Sequence, residues 1–450
     1  MNPRFGDASL DRFRALLRIP TVGRLDETLI DWDAFDTFLT TLEELYPRVF
    51  GTLEREKIGG YSLLLRWPGA SPENPTVLMG HYDVVSVNVG ENEPEWTHPP
   101  FAAEITGTGE DRVLWGRGTL DDKGAVVAIL EAVEHAIESG FTPAHDLYLS
   151  FGHNEETTGA GARATVELLE SRGVVPGLVI DEGGAVIEDV LPGLRGPAAL
   201  VGTTEKGLAT ITLSVAQVGG HASTPPPFPA TARLARAITR VNRSPFPGRL
   251  SRPAKDLLRT LGPRSAAPLP WVAKNVDLLA PLLAKVLPRL GAETAALVRT
   301  TTVTTQLSGA SAANALPERA TATLNVRVAV GSSVAATVRR LNRIINDPEV
   351  ELRVAEFHDP SPVSPSSGPG WERIVSAFAV AAPDATVSPY VMLGASDSRY
   401  YARISPNVYR TTPFRMSADE RAGLHAVNER IRVSTWLEGI EFYRSLVLSA

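Results

Sequence analysis

Along the first half of the chain, short continuous apolar runs alternate with stretches where apolar residues return every three or four positions. Residues 76–79 form one such run, which ends at Gly80 and delivers His81 and Asp83. Residues 147–151 do the same ahead of Glu155 and Glu156, and 178–180 ahead of Asp181. Between the first two runs, Val126, Leu130, Val133 and Ile137 recur at helical spacing, just after Asp121 and Asp122. Strands that are apolar throughout and separated by helices predict a largely parallel sheet with both faces covered. In such sheets ligands bind at the carboxyl ends of the strands, where these acidic and histidine residues fall.

Near Gly207 the pattern changes. Residues 209–218 read as a strand, 230–241 as a helix, 299–307 and 320–330 as two strands, 334–345 as a helix and 350–355 as a last strand. That β-α-β-β-α-β order is the split βαβ unit of a small two-layer α+β domain. It is interrupted by an extra segment at about 245–298, rich in Pro and Leu, in which Leu279, Leu283, Val286 and Leu290 keep helical spacing. A buried face against the small domain's core fits that spacing, and so does the alternative of a greasy wall beside the cleft or a dimer surface. The Pro/Ser/Gly stretch 359–370 leads back into α/β sequence, and Trp436, Ile440, Tyr443 and Val447 mark a closing amphipathic helix. The predicted organisation is therefore α/β: a large domain from 1–206 and 358–450, with 207–357 inserted into it.

Composition narrows the chemistry. The 450 residues carry a net charge of −7 and no cysteine, with a pI near 5.7. The acidic balance argues against nucleic acid or an anionic membrane as partner. Without thiolates, any metal must be held by imidazole and carboxylate. The first residues contain no apolar signal core, and no apolar run reaches membrane-spanning length, so the expectation is a soluble, cytoplasmic protein.

Five segments carry metal-grade side chains: GHYDVV (80–85), GRGTLDDKG (116–124), GHNEET (152–157), VIDEGG (179–184) and LHAVNE (424–429). His81 and Asp83, two apart on a strand end, point the same way. His81 is then a candidate ligand and Asp83 the carboxylate that orients its second ring nitrogen. The competing reading is a strand-end histidine beside a solvated aspartate. Asp121 opens a helix, where an acid also serves as a plain cap. A phosphate loop does not fit GRGTLDDKG, since two carboxylates there would repel phosphate and the glycine spacing matches neither nucleotide fingerprint. Glu155 and Glu156 are neighbours that point in different directions, so one can bind a metal while the other holds an attacking water.

Taken together and in this order, the segments resemble the dinuclear-zinc carboxypeptidase and aminoacylase family, which includes glutamate carboxypeptidase, carnosinase and succinyl-diaminopimelate desuccinylase. WGRGTLDDKG, the W-x-HPPF stretch at 96–101, FGHNEE, DEGG and RTTTVTTQLSG (299–309) are most similar to its Gly-X carboxypeptidase and N-acyl-amino-acid hydrolase branch. The resemblance runs from about Leu10 to the last helix. It implies two Zn²⁺ ions per subunit, with Mn²⁺ or Co²⁺ as substitutes. Asp121 would bridge the ions, His81 and Asp181 would complete one site, and Glu156 and His425 the other. Glu155 would be the general base, and Asp83 the orienter of His81. The inserted domain would be a lid and dimerisation domain, carrying His221 to polarise the scissile carbonyl, in cis or from a partner subunit. Asn314 and Arg327 would grip a substrate carboxylate. Arg399, in GASDSRYY (394–401), is a second candidate for that carboxylate. This turn departs from the family pattern at Ala395, Ser396 and Tyr400, which bears on substrate preference.

The implied reaction is hydrolysis of an amide bond next to a free carboxylate, on a small peptide or N-acyl amino acid, by a carboxypeptidase or amidohydrolase, with a homodimer through the lid domain as the implied assembly. A dipeptidase or aminopeptidase with the same metals is the alternative, and a non-catalytic metal-binding homologue a more distant one. The resemblance also implies a cis peptide between Asp121 and Asp122.

Overall fold

A computed structural model of the chain describes residues 5–87 and 95–450. Its centre is an eight-stranded sheet with the spatial order Glu54–Ile58, Ser62–Trp67, His145–Gly152, Ser71–His81, Leu178–Ile187, Val408–Met416, Ala198–Glu205 and Thr386–Met392. Ser71–His81 pairs in parallel with both of its neighbours, as does Val408–Met416 with Leu178–Ile187 and Thr386–Met392 with Ala198–Glu205. Antiparallel pairing brings in the hairpin at one edge.

The unbroken apolar runs follow from coverage of both faces. Leu78 enters the core under helices Lys123–Glu138 and Val433–Leu448, while Val77 and Met79 enter the core under helix Ala160–Ser171. Alternate residues on one strand thus fill opposite cores. Lys123–Glu138 is buried almost all round. Val433–Leu448 lies against it, with Trp436 stacked on Phe13 at 4.7 Å and donating its indole N–H to the Gly124 carbonyl at 3.0 Å. Each fully buried Val, Leu or Phe here stabilises the fold by about 1.5–3 kcal/mol.

A second sheet of four antiparallel strands runs in the order Thr301–Ser308, Arg319–Val328, Gly207–Ala216 and Glu351–His358. Ala320, Ala322, Leu324, Val326 and Val328 alternate into a separate core capped by helices Ala230–Arg243 and Val334–Ile345. A two-residue ladder, Gly220–His221 against Ala315–Leu316, projects from this unit.

The Pro/Leu-rich segment folds into helices Arg252–Leu261, Leu269–Lys274, Val276–Val286 and Ala292–Val298. They do not join the core of the four-stranded sheet. Leu257, Leu258, Leu261, Val276 and Val298 pack instead with Ala198, Leu200 and Tyr390 of the eight-stranded sheet. Helical spacing specifies that one face is buried but not which surface buries it, and of the two readings the one against the small domain's core is the one that fails. The inward stripe is also displaced from the expected one: Ala280, Leu283, Ala284 and Leu287 face the cluster, while Leu290 is exposed. Among the described residues, no helix is long and apolar enough to cross a membrane.

Candidate metal centre

The carboxyl ends of three neighbouring sheet strands and the start of one helix converge on a single patch. His81, the last residue of Ser71–His81, is buried. Its Nδ1 lies 2.9 Å from the Asp83 carbonyl, so that nitrogen carries a proton and donates, and Nε2 is the nitrogen turned into the site. Nε2 is 3.0 Å from Asp121 Oδ1, and Asp121 Oδ2 is 2.8 Å from His425 Nε2. His425 Nε2 also lies 3.3 Å from Glu156 Oε2. Asp121 therefore stands between the two histidines, one oxygen toward each. His425 adopts a left-handed backbone (φ 58°), a conformation that non-glycine residues reach mostly at functional sites. The Asp121–Asp122 peptide is cis.

Asp83 differs from its expected role. Its carbonyl makes the shorter contact with His81 Nδ1, its carboxylate lying 3.5 Å away. The carboxylate, fully buried, accepts the backbone N–H groups of both Glu155 and Glu156 at 3.1 Å. It fixes the turn that presents the two glutamates.

Asp181 is not brought to the cluster as expected. Its Oδ2 accepts the Ser398 N–H at 2.7 Å, whereas Glu182 places Oε1 3.7 Å from His81 Nε2. Consecutive strand residues point to opposite sides, so strand register decides which of the two carboxylates faces His81. Two triads, His81–Asp121–Glu156 and His81–Asp122–Glu182, each bring ligand atoms within 4.8 Å of one another.

Two residues without a sequence-derived role hold Asp121 in place. The buried Glu429 carboxylate accepts N–H groups from Gly118 (3.1 Å), Leu120 (2.8 Å) and Asp121 (3.2 Å) and pairs with buried Arg117 at 2.6 Å. Glu429 sits in the LHAVNE segment, but nothing in linear spacing ties it to a loop some three hundred residues earlier.

The electrostatics suit a cation. Burial pushes the carboxyls of Asp122, Glu155 and Glu182 well above the usual range, with neighbouring carboxylates adding to it. His425 is pushed up to about 10 by hydrogen bonds to Asp121 and Glu156. Burial pulls His81 down, but Asp121, Asp83 and Glu182 outweigh it and the imidazole ends well above its ordinary value. Glu156 Oε1 and Asp122 Oδ1 are buried without a hydrogen-bond partner among the described residues. Crowded buried carboxylates, orphaned oxygens and an all-imidazole-and-carboxylate donor set fit divalent metal.

The other expected residues lie further out. Glu155 Oε1 is 4.0 Å from Arg399 Nη1, which donates to the Ser396 carbonyl at 2.7 Å. Burial lowers the Arg327 pKa, opposed by the charges of Glu205 and Glu155, so its guanidinium is within electrostatic reach of Glu155. His221 and Asn314 are exposed on the small ladder, where the Ala222 N–H donates to the Asn314 carbonyl at 2.9 Å and His221 Nδ1 meets Ser223 Oγ at 2.7 Å. Neither makes a hydrogen bond or ion pair with the carboxylate cluster.

A cavity of about 530 Å³ opens from the cluster. Asp121, Glu155, Glu156, Glu182 and His425 line it; most of the remaining wall is aliphatic, from the large sheet (Ile187, Leu200, Met392) and the Pro/Leu-rich helices (Leu257, Leu258, Leu287, Leu297), with Glu188, Asp189, Glu293 and Arg421 as the charged exceptions.

Residues 77–449 match the model of peptidase family M20/M25/M40. The chain is 34% identical to a probable carboxypeptidase S-like protein of Dictyostelium discoideum, over 92% of this chain and 79% of that one. It is 31% identical to the N-fatty-acyl-amino acid synthase/hydrolase of Homo sapiens, over 98% and 88%. Its fold is similar to that of an M20 family metallo-carboxypeptidase from Sulfolobus solfataricus (TM-score 0.69, 17% identity, 98% of both chains). It is also similar to that of human carnosine dipeptidase 1 (TM-score 0.66, 14% identity, 98% and 96%).

Proposed function

The chain belongs to peptidase family M20/M25/M40 and is a metal-dependent amide hydrolase; from that premise we propose that it cleaves N-acyl amino acids with long apolar acyl groups, at the amide next to the free carboxylate. The observation that carries the reading is the cavity, which joins the histidine and carboxylate cluster to a largely aliphatic wall. Its volume lies within the roughly 300–1,000 Å³ of small-molecule sites. The name of the human relative, an N-fatty-acyl-amino acid synthase/hydrolase, supports it.

His81, Asp121, Glu156, Glu182 and His425 would hold two zinc ions, with Asp121 shared; Mn²⁺ or Co²⁺ would serve in their place. Bound there, the metal supplies Lewis acidity and a water of near-neutral pKa. Glu155, held by the Asp83 carboxylate through its backbone N–H, takes the proton of the attacking water and returns it to the leaving nitrogen. Arg327, with Asn314, binds the substrate carboxylate, and Arg399 keeps positive charge beside Glu155. His221 donates to the developing oxyanion. Because it is exposed on the outlying ladder, it does so after movement of the lid or from a partner subunit. On this reading 1–206 and 358–450 form the catalytic domain, 207–357 the lid and dimerisation domain, and the protein is a cytoplasmic homodimer.

The test is a series of N-acyl amino acids of increasing chain length, each also with an amidated carboxylate, assayed with and without added zinc. Efficiency should rise stepwise with chain length, each buried methylene contributing about 0.8 kcal/mol, and amidation should abolish cleavage. Indifference to chain length would overturn the acyl reading, and equal cleavage of amidated substrate would remove Arg327 from its role.

A further inference from the structure

Trp271, Leu278, Leu282 and Leu290 are 61%, 82%, 57% and 68% exposed. All belong to the Leu269–Lys274 and Val276–Val286 helices and the turn that follows, and Leu278 and Leu282 are one helical turn apart. The exposed polar residues among them are predominantly basic: Lys274, Lys285 and Arg289 are exposed and have no carboxylate partner among the described residues. The three acidic residues of segment 245–298 are already engaged. Asp256 pairs with Arg259 at 2.7 Å, Asp277 with Lys255 at 3.0 Å and Arg259 at 2.5 Å, and Glu293 with Arg421 at 3.6 Å. The net charge of −7 is a sum over the whole chain. Segment 245–298 holds eight Lys or Arg and three Asp or Glu, a net +5.

We propose that this face docks on an anionic lipid surface. Exposed Trp and Leu interleaved with unpaired Lys and Arg is the pattern of a helix lying in the headgroup plane, apolar side chains in the acyl boundary and basic heads at the phosphates. A soluble partner protein of ordinary surface would not need both, whereas an anionic bilayer satisfies both at once. The same segment supplies Leu287 and Leu297 to the cavity wall, so a docked molecule meets apolar substrates where they partition. The docking inference rests on exposure and charge, and stands apart from the acyl reading of the cavity.

The experiment is cosedimentation of the full chain with phosphatidylcholine vesicles, with and without phosphatidylglycerol, at low and high salt. The wild type should pellet with the anionic vesicles and be released by salt. Leu278→Ser with Leu282→Ser, and separately Lys274→Glu with Lys285→Glu and Arg289→Glu, should each reduce the bound fraction about tenfold. Both variants should hydrolyse a short-chain, water-soluble N-acyl amino acid at the wild-type rate, which also shows that they fold. Failure of the wild type to pellet with either vesicle overturns the proposal. So does concentration-dependent self-association that the leucine variant abolishes, since that assigns the face to a second copy of the chain. Vesicle binding by a protein that cleaves no acyl amino acid would refute the acyl reading and leave the docking face standing.

Discussion

Glu155 and Glu156 are chemically identical neighbours with different tasks, set by what each faces. Glu156 meets His425 and Glu155 meets Arg399, while burial pushes both carboxyls up, that of Glu155 further. Glu155→Gln should keep bound metal and substrate affinity while kcat falls about 10²–10⁴-fold, the range for a lost general base; steady-state kinetics beside metal analysis checks it, and near wild-type turnover would reassign the base. At the DEGG segment the decisive comparison is between adjacent carboxylates. Glu182→Ala should lower metal content, and Asp181→Asn, which retains an acceptor for the Ser398 N–H, should not. The opposite pattern in elemental analysis would restore Asp181 as ligand. His81, Asp121 and Glu156 were legible because each follows an apolar run or precedes a helix in a recognisable segment, His425 only through the resemblance of its segment to the family, and the structure gathers all four. Choosing between Asp181 and Glu182 was not possible without strand register, and Glu429 was invisible because its partners are distant in sequence.

At the scale of elements, periodicity located the parallel strands, the split βαβ unit and the closing helix, since each has one dominant repeat. It did not reveal where the Pro/Leu-rich helices would sit, because amphipathic spacing names a buried face without naming its partner. Their position gives them a measurable role. Leu257, on helix Arg252–Leu261, reaches both the aliphatic cluster and the cavity. Leu257→Trp should shorten the longest acyl chain cleaved efficiently while leaving short-chain substrates within about threefold of wild type, given that overpacking costs roughly 1–3 kcal/mol and here has open cavity to relax into. A chain-length profile that shifts by the same factor at every length would mean the substitution acts on folding rather than on the pocket.

For the whole molecule, the cores are aliphatic and aromatic and do not include the metal ligands. Chelation should therefore abolish turnover while far-ultraviolet circular dichroism stays folded. The melting point should fall only by the binding free energy lost, about 2.7 kcal/mol if metal was at a hundred times its Kd. Global unfolding on chelation would show the ions to be structural. The sheet order carries one more consequence, for synthesis. Leu178–Ile187 and Ala198–Glu205 pair directly only at Val186–Ala199 and Ile187–Ala198, and Val408–Met416 fills the rest of the space between them, so that gap stays open while the intervening two hundred residues are made. At about 5–20 residues per second a ribosome leaves that gap for roughly ten to forty seconds. Through that interval the nascent chain displays the unpaired stretches of two apolar strands and lacks His425, which makes the half-built sheet the stage at which a chaperone is most needed.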